Sequence, residues 1–186
     1  MPTKNRTMHG LPTKFWYKVI LMKTLVVIDM QNDFINGSLG TKEAVDIVEK
    51  VKNKIAEYAK SGNKIIYTRD THFDDYLSTP EGKKLPVVHC VKGTHGWQIA
   101  DGLYVDGSDI IDKPSFGYTE WGKYDFDKIE LIGLCTDICV VSNALILKAL
   151  FPNAEISVDA SCCAGVTPET HNAALDTMKM CQIDIT

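Results

Sequence analysis

Two cysteines stand four positions apart behind an apolar run, Cys135 and Cys139 in GLCTDICVVSNA (133–144). The spacing admits metal ligands, a disulfide, or one packing residue beside one nucleophile. A helix beginning near Asp137 would place Cys139 in its first turn, where unpaired N–H groups and the positive dipole end favour a thiolate and lower its pKa. The competing reading is a buried small hydrophobe, which is what most free cysteines are. A neighbouring cation and an acid–base group would decide for the nucleophile, since thiolate formation needs the first and turnover the second. Lys113 and Asp29 are the candidates, each at the end of a predicted strand. Taken singly, the first reads as a solvated lysine and the second as a turn aspartate.

Asp70 and His72 are one residue apart, so in an extended segment both side chains project to the same side, a common way to seat two ligands on one metal. Glu81 and His89, in the stretch that follows, could complete a set of two imidazoles and two carboxylates. Such a mixture suits one divalent ion, zinc first, with iron or manganese as alternatives, and leaves positions open to water or substrate. His95 is a spare imidazole, and the plain alternative is a set of scattered polar loop residues.

Apolar β-branched runs predict strands at Thr24–Ile28, Lys64–Thr68, Asp109–Asp112, Ile129–Gly133, Glu155–Asp159 and Gln182–Thr186. Between the first two, Ala44, Val48, Val51, Ile55 and Tyr58 recur at helical spacing and Gly62 marks a stop. Asp137–Leu150, ended by Pro152, is a second helix. A third follows Thr167 as N-cap, with Pro168 at its first position and Ala173, Ala174 and Met178 on its apolar side. This alternation implies right-handed crossovers and a doubly wound α/β domain, its mainly parallel six-stranded sheet covered by helices on both faces. In such a sheet ligands bind beyond the carboxyl ends of the strands. Asp29, Asp70 with His72, Lys113, and the turn before Cys139 all fall there. The segment from Asp70 to Gly107, rich in Pro, Gly, His and charge, reads as a long functional loop.

The whole chain has 186 residues, 45% hydrophobic and 24% charged, with a net charge of −4. That is one soluble globular domain, with no apolar run near the roughly 20 residues a membrane span needs. No concentrated basic face exists for nucleic acid, so a small molecule is the expected partner. The six cysteines sit mostly in apolar segments of a chain too large to need disulfides, and are expected as free thiols in a reducing cytoplasm. Residues 1–21 lack the apolar core of a secretory signal. Met22 heads a cleaner sequence, MKTLVVIDMQ, and residues 1–21 are read as an N-terminal extension, upstream of or added to a native domain at 22–186.

DMQNDF (29–34), RDTH (69–72), HC (89–90), KPSFG (113–117) and GLCTDICV (133–140) together resemble the cysteine hydrolases of the isochorismatase-like superfamily, nicotinamidases in particular. The resemblance covers Met22 to Thr186 and keeps the family's motif order. It implies the isochorismatase-like hydrolase fold, a catalytic triad of Asp29, Lys113 and Cys139, and metal ligands Asp70, His72, Glu81 and His89. It also implies a cis peptide before Cys135, an oxyanion hole from the backbone N–H groups of Cys135 and Cys139, Phe34 as one wall of the ring pocket, and a homo-oligomer. The implied reaction is hydrolysis of a small carboxamide, nicotinamide to nicotinate and ammonia. Another amide or ureido hydrolase and a silent ligand-binding protein are the alternatives. One departure bears on substrate: where nicotinamidases often carry an aromatic residue before the metal histidine, this chain has Leu85, Pro86, Val87 and Val88, which leaves Trp97, Phe116, Tyr118 or Trp121 to complete the pocket.

Overall fold

The structure, a computed structural model, describes residues 22–186, so the expectation for residues 1–21 lies outside the described residues. Six strands, β1 (Lys23–Ile28), β2 (Lys64–Asp70), β3 (Asp109–Lys113), β4 (Lys128–Leu134), β5 (Glu155–Ala164) and β6 (Asp184–Ile185), form one sheet in the order β3-β2-β1-β4-β5-β6. Every pairing is parallel. The doubly wound expectation holds, and the strand order reverses between β1 and β4.

Alternation along β1 assigns its two faces. Leu25 and Val27 pack under α2 (Lys42–Lys60), whereas Val26 and Ile28 pack under α4 (Val141–Leu150) and α5 (Pro168–Met180). Helix α2 starts where the Thr41 hydroxyl accepts from the Ala44 N–H, and the chain leaves it through Gly62 at φ +67°. Its buried stripe is Ala44, Ile47, Val51, Ile55 and Tyr58, with Ile47 taking the core place expected for Val48. Each of the large side chains contributes about 1.5–3 kcal/mol on burial. Helix α5 is capped by Thr167 and Thr170 reciprocally, with Pro168 in its first turn. Ala174 and Met178 face the core, but Ala173 is exposed.

Three further boundaries differ from expectation. Strand β5 continues to Ala164, after a register shift between Leu131 and Gly133 of β4 absorbs the extra length. Strand β6 is only two residues, because Gln182 sits at φ +63° and turns the chain. The segment after β2 is not one open loop. It carries a 3₁₀ turn (Tyr76–Ser78), the short helix α3 (Pro80–Lys84) and the bridge His72↔Val91, while the short helix α1 (Asn32–Ile35) follows β1. Among the described residues no helix is long and apolar enough to cross a membrane.

Candidate active site

Strand β4 reaches the crevice by running unusually close to β1. Gly133 has φ +116°, and a Cβ there would lie 2.1 Å from the Ile28 carbonyl oxygen, so only glycine fits. The peptide between Leu134 and Cys135 is cis, as the resemblance implied. The helix expected from Asp137 begins instead as a π turn, Thr136–Val140, with the N–H groups of Ile138 and Val140 both donating to the Cys135 carbonyl (3.1 and 3.0 Å). Cys139 sits inside this widened turn and is buried. Asn143, fully buried and not singled out by its type, fixes the turn. Its Nδ2 donates to the carbonyls of Cys139 (2.8 Å) and Phe116 (3.0 Å), while its Oδ1 accepts from Tyr118 N (2.9 Å) and Trp121 Nε1 (3.0 Å).

Asp29 and Lys113, at the ends of β1 and β3, meet at this turn. Lys113 Nζ lies 2.7 Å from Asp29 Oδ2 and 3.5 Å from Cys139 Sγ, and donates to the Ser115 carbonyl at 3.1 Å. Both charged side chains are 0% exposed. Thr68 Oγ1 donates to Asp29 Oδ1 at 2.6 Å, which aims the carboxylate; this contact too was not read from the sequence. Oδ2 has the Lys113 ammonium directly beside it.

Burial raises the Asp29 pKa, and Lys113 opposes this only in part. Burial would lower Lys113, but Asp29, Cys139 and Asp70 outweigh it and hold the ammonium charged. For Cys139 the expected lowering is reversed. Loss of water, reinforced by the Asp29 carboxylate, pushes the thiol well above its ordinary value despite Lys113. Both the Lys113 ammonium and the Asp29 carboxylate thus bear on a thiol whose pKa stands above its ordinary value. Cys135 is likewise pushed up by burial, to about 12.

Asp70, His72, Glu81 and His89 converge, each offering one donor atom, all within 4.8 Å of one another. His72 Nε2 is 2.9 Å from Asp70 Oδ2 and 3.6 Å from Glu81 Oε1; His89 Nε2 is 3.6 and 4.0 Å from the same two oxygens. Donors bound at about 2.0–2.2 Å to one tetrahedral ion stand about 3.3 Å apart, so the spacing fits a divalent metal. The orientation fits as well. His72 Nε2 is buried without a satisfied hydrogen bond and lies near both the Asp70 and the Glu81 carboxylate. His89 Nδ1 lies 2.8 Å from the Val87 carbonyl; donating there, it turns a bare Nε2 inward. Burial would raise Asp70, but His72, His89 and Lys113 hold it well below the usual carboxylate range. Burial and the Asp70 charge raise Glu81. His95 is outside the group and serves through its carbonyl, which accepts from Asn32 Nδ2.

One pocket of about 270 Å³ joins the two clusters. Phe34, Phe116, Leu85, Ile138 and Val166 make its apolar walls, with Asp70, Glu81, His89, Cys135 and Cys139 at its chemical end. Phe116 thus supplies the second aromatic wall. Trp97 lies under the Arg69 guanidinium, 3.5 Å from the ring centroid, and Tyr118 and Trp121 pack against each other by Asn143.

An open parallel sheet ordered 3-2-1-4-5-6, with a buried Asp–Lys–Cys contact and a His–carboxylate cluster at its switch point, defines a doubly wound α/β protein built around a strand-end reaction crevice. The chain belongs to the isochorismatase family, whose Isochorismatase domain matches residues 23–186. It is 25% identical to the nicotinamidase of Saccharomyces cerevisiae, over 88% of this chain and 99% of that protein. It is 27% identical to the nicotinamidase/pyrazinamidase of Mycobacterium tuberculosis, over 88% and 98%. The structure of the Pyrococcus horikoshii pyrazinamidase in complex with zinc superposes with a TM-score of 0.76 at 28% identity, over 88% of this chain and 98% of that one.

Proposed function

We propose that this protein hydrolyses nicotinamide to nicotinate and ammonia through a thioester on Cys139. The observation that carries the reading is Lys113 Nζ, in contact with both Asp29 Oδ2 (2.7 Å) and Cys139 Sγ (3.5 Å), with Cys139 itself in the wall of an apolar pocket. With the thiol and the carboxyl both raised by burial, Asp29 takes the Cys139 proton as sulfur attacks the amide carbon, so no free thiolate has to persist. Lys113 stays charged and compensates the carboxylate before transfer and the anion after it. The N–H groups of Cys135 and Cys139 face the developing oxyanion. Protonated Asp29 then gives its proton to the departing nitrogen, the C–N bond breaks, and ammonia leaves. The regenerated carboxylate next deprotonates the water that cleaves the thioester, restoring the thiol and releasing the acid.

A divalent ion held by Asp70, His72, Glu81 and His89 would supply a Lewis-acidic anchor for the ring nitrogen of a pyridine carboxamide. The donor set of this chain, with two imidazoles, favours zinc over hard oxygen-seeking ions, with iron or manganese next. Phe34 and Phe116 flank the ring. Leu85, in the same wall, offers a ring no face to stack on, which keeps another amide or ureido compound as the second reading. The cytoplasmic setting and the homo-oligomer belong to the same proposal; six unpaired thiols and the exposed Phe73 and Leu77 support them.

The test is ammonia release from nicotinamide, pyrazinamide, benzamide and a ureido compound by metal-replete protein. Turnover of the first two supports the proposal. Turnover of the ureido compound alone transfers it to the second reading.

A further inference from the structure

The sheet leaves one rung unmade beside the metal cluster. Along β2, the backbone groups of Arg69 and Thr71 pair with β3, where the Thr71 N–H donates to the Lys113 carbonyl at 3.0 Å, so the N–H and C=O of Asp70 face β1. Strand β1 has by then ended. The chain turns away at Asp29, which has φ +46°. Asp70 would hold two unpaired, buried backbone groups next to its own carboxylate, a costly arrangement.

The Gln31 side chain fills the gap. Its Oε1 accepts from the Asp70 N–H at 2.7 Å, and its Nε2 donates to the Asp70 carbonyl at 2.9 Å. The same Nε2 donates to the Trp97 carbonyl at 2.9 Å. A carboxamide carries the donor and acceptor of a peptide group, so it can stand in for the missing rung. Gln31 is 0% exposed, and these three bonds employ its acceptor and both its donor hydrogens.

Two residues on, Asp33 holds the far side of the cluster. Its Oδ2 accepts from the Cys90 N–H at 2.7 Å, one residue past His89, and its own N–H donates to the Gly96 carbonyl at 3.0 Å. The approach is close enough that a Cβ on Gly96 would lie 2.1 Å from Oδ2. The short turn after β1 therefore grips the two segments that carry Asp70 with His72 on one side and His89 on the other.

We propose that Gln31 and Asp33 are positioning residues for the metal centre, setting the separation of its ligands before the ion arrives. This rests on the metal reading above and adds to it a cause for the site's affinity. Neither residue touches the ion or the substrate.

The experiment is zinc affinity of the purified full chain by competition with a chromophoric chelator, with the visible spectrum of the cobalt form reporting ligand geometry. Gln31→Met and Asp33→Ala should each weaken zinc binding about 10–100-fold and alter the cobalt bands. Asp33→Asn keeps an oxygen for the Cys90 N–H and should retain most of the affinity. Asn32→Ala is the control, because Asn32 lies in the same turn but holds only the carbonyls of His95 and Gln98. Its affinity should match that of the parent protein. Should Gln31→Met fail to fold, the Asp33 pair decides by the same criteria. Zinc binding by the parent with unchanged affinity in the variants overturns the positioning role alone, as does equal weakening by Asn32→Ala, which would signal general loosening of the loop. A parent protein that binds no zinc removes the metal reading and this inference together.

Discussion

Lys113→Met tests the centre of the site, since methionine keeps most of the side-chain volume and removes only the charge. The ammonium lies 2.7 Å from Asp29 with both side chains fully buried, so the variant leaves a carboxylate without water or a cation. Removing one partner of a buried pair costs about 3–5 kcal/mol, a large share of the about 5–15 kcal/mol that holds a typical domain together. The sign with pH follows from Asp29. Burial already raises its folded pKa above the unfolded value, and losing Lys113 raises it further. The native state then binds the proton more tightly than the unfolded state, so stability falls as pH rises from the ordinary carboxylate range through the folded pKa. Urea unfolding of the variant from pH 5 to pH 8 should show the deficit growing with pH. Adding Asp29→Asn should restore most of the stability, because the charge is gone, while hydrolysis remains absent. A loss below about 1 kcal/mol that is flat with pH would refute the buried pair.

Cys139→Ala should abolish hydrolysis and leave fold and metal content intact, whereas Cys135→Ala should keep most activity because only its backbone N–H is proposed to act; steady-state kinetics and metal analysis separate the two. Elemental analysis should find about one divalent ion per chain, His72→Ala or His89→Ala should lose it, and chelator treatment of the parent protein should abolish activity until zinc, manganese or iron is returned. Benzamide, which lacks the ring nitrogen, should fall orders of magnitude below nicotinamide in kcat/KM, and comparable values would sink the anchoring role of the ion. Gly133→Ala should cost about 3 kcal/mol or more, measured by urea unfolding, since the new Cβ meets the Ile28 carbonyl at 2.1 Å in a backbone conformation that alanine rarely adopts.

Residues whose role follows from their own type and from a strand end were legible in the sequence. Asp29, Asp70, His72, Lys113 and Cys139 each stand at or just beyond the end of a strand, and parallel topology sends every such end to one edge. Glu81 and His89 were singled out by ligand chemistry, and the structure brings them beside Asp70 and His72, although the helix that carries Glu81 was not foreseen: α3 is five residues, too short for a periodicity to show. The direction of the Cys139 pKa shift was misread for a related reason. A helix N-terminus is visible in a sequence, but the desolvation that outweighs it belongs to the assembled crevice.

Gln31, Thr68 and Asn143 mark where that kind of reading stops. Each is a neutral polar residue, and its type says only that it must find partners if buried. The partners come from distant segments: Gln31 meets Asp70 and Trp97, Thr68 meets Asp29, and Asn143 joins the loop at Phe116 to the turn at Cys139. Their meaning appears only when a backbone group or a charge nearby is seen to lack a partner, and that deficit is a property of tertiary structure. The charged residues supply the chemistry at this strand edge. The neutral ones hold it in place, and for the proposed transfer of a proton from the Cys139 thiol to the Asp29 carboxylate that placement would be part of the reaction.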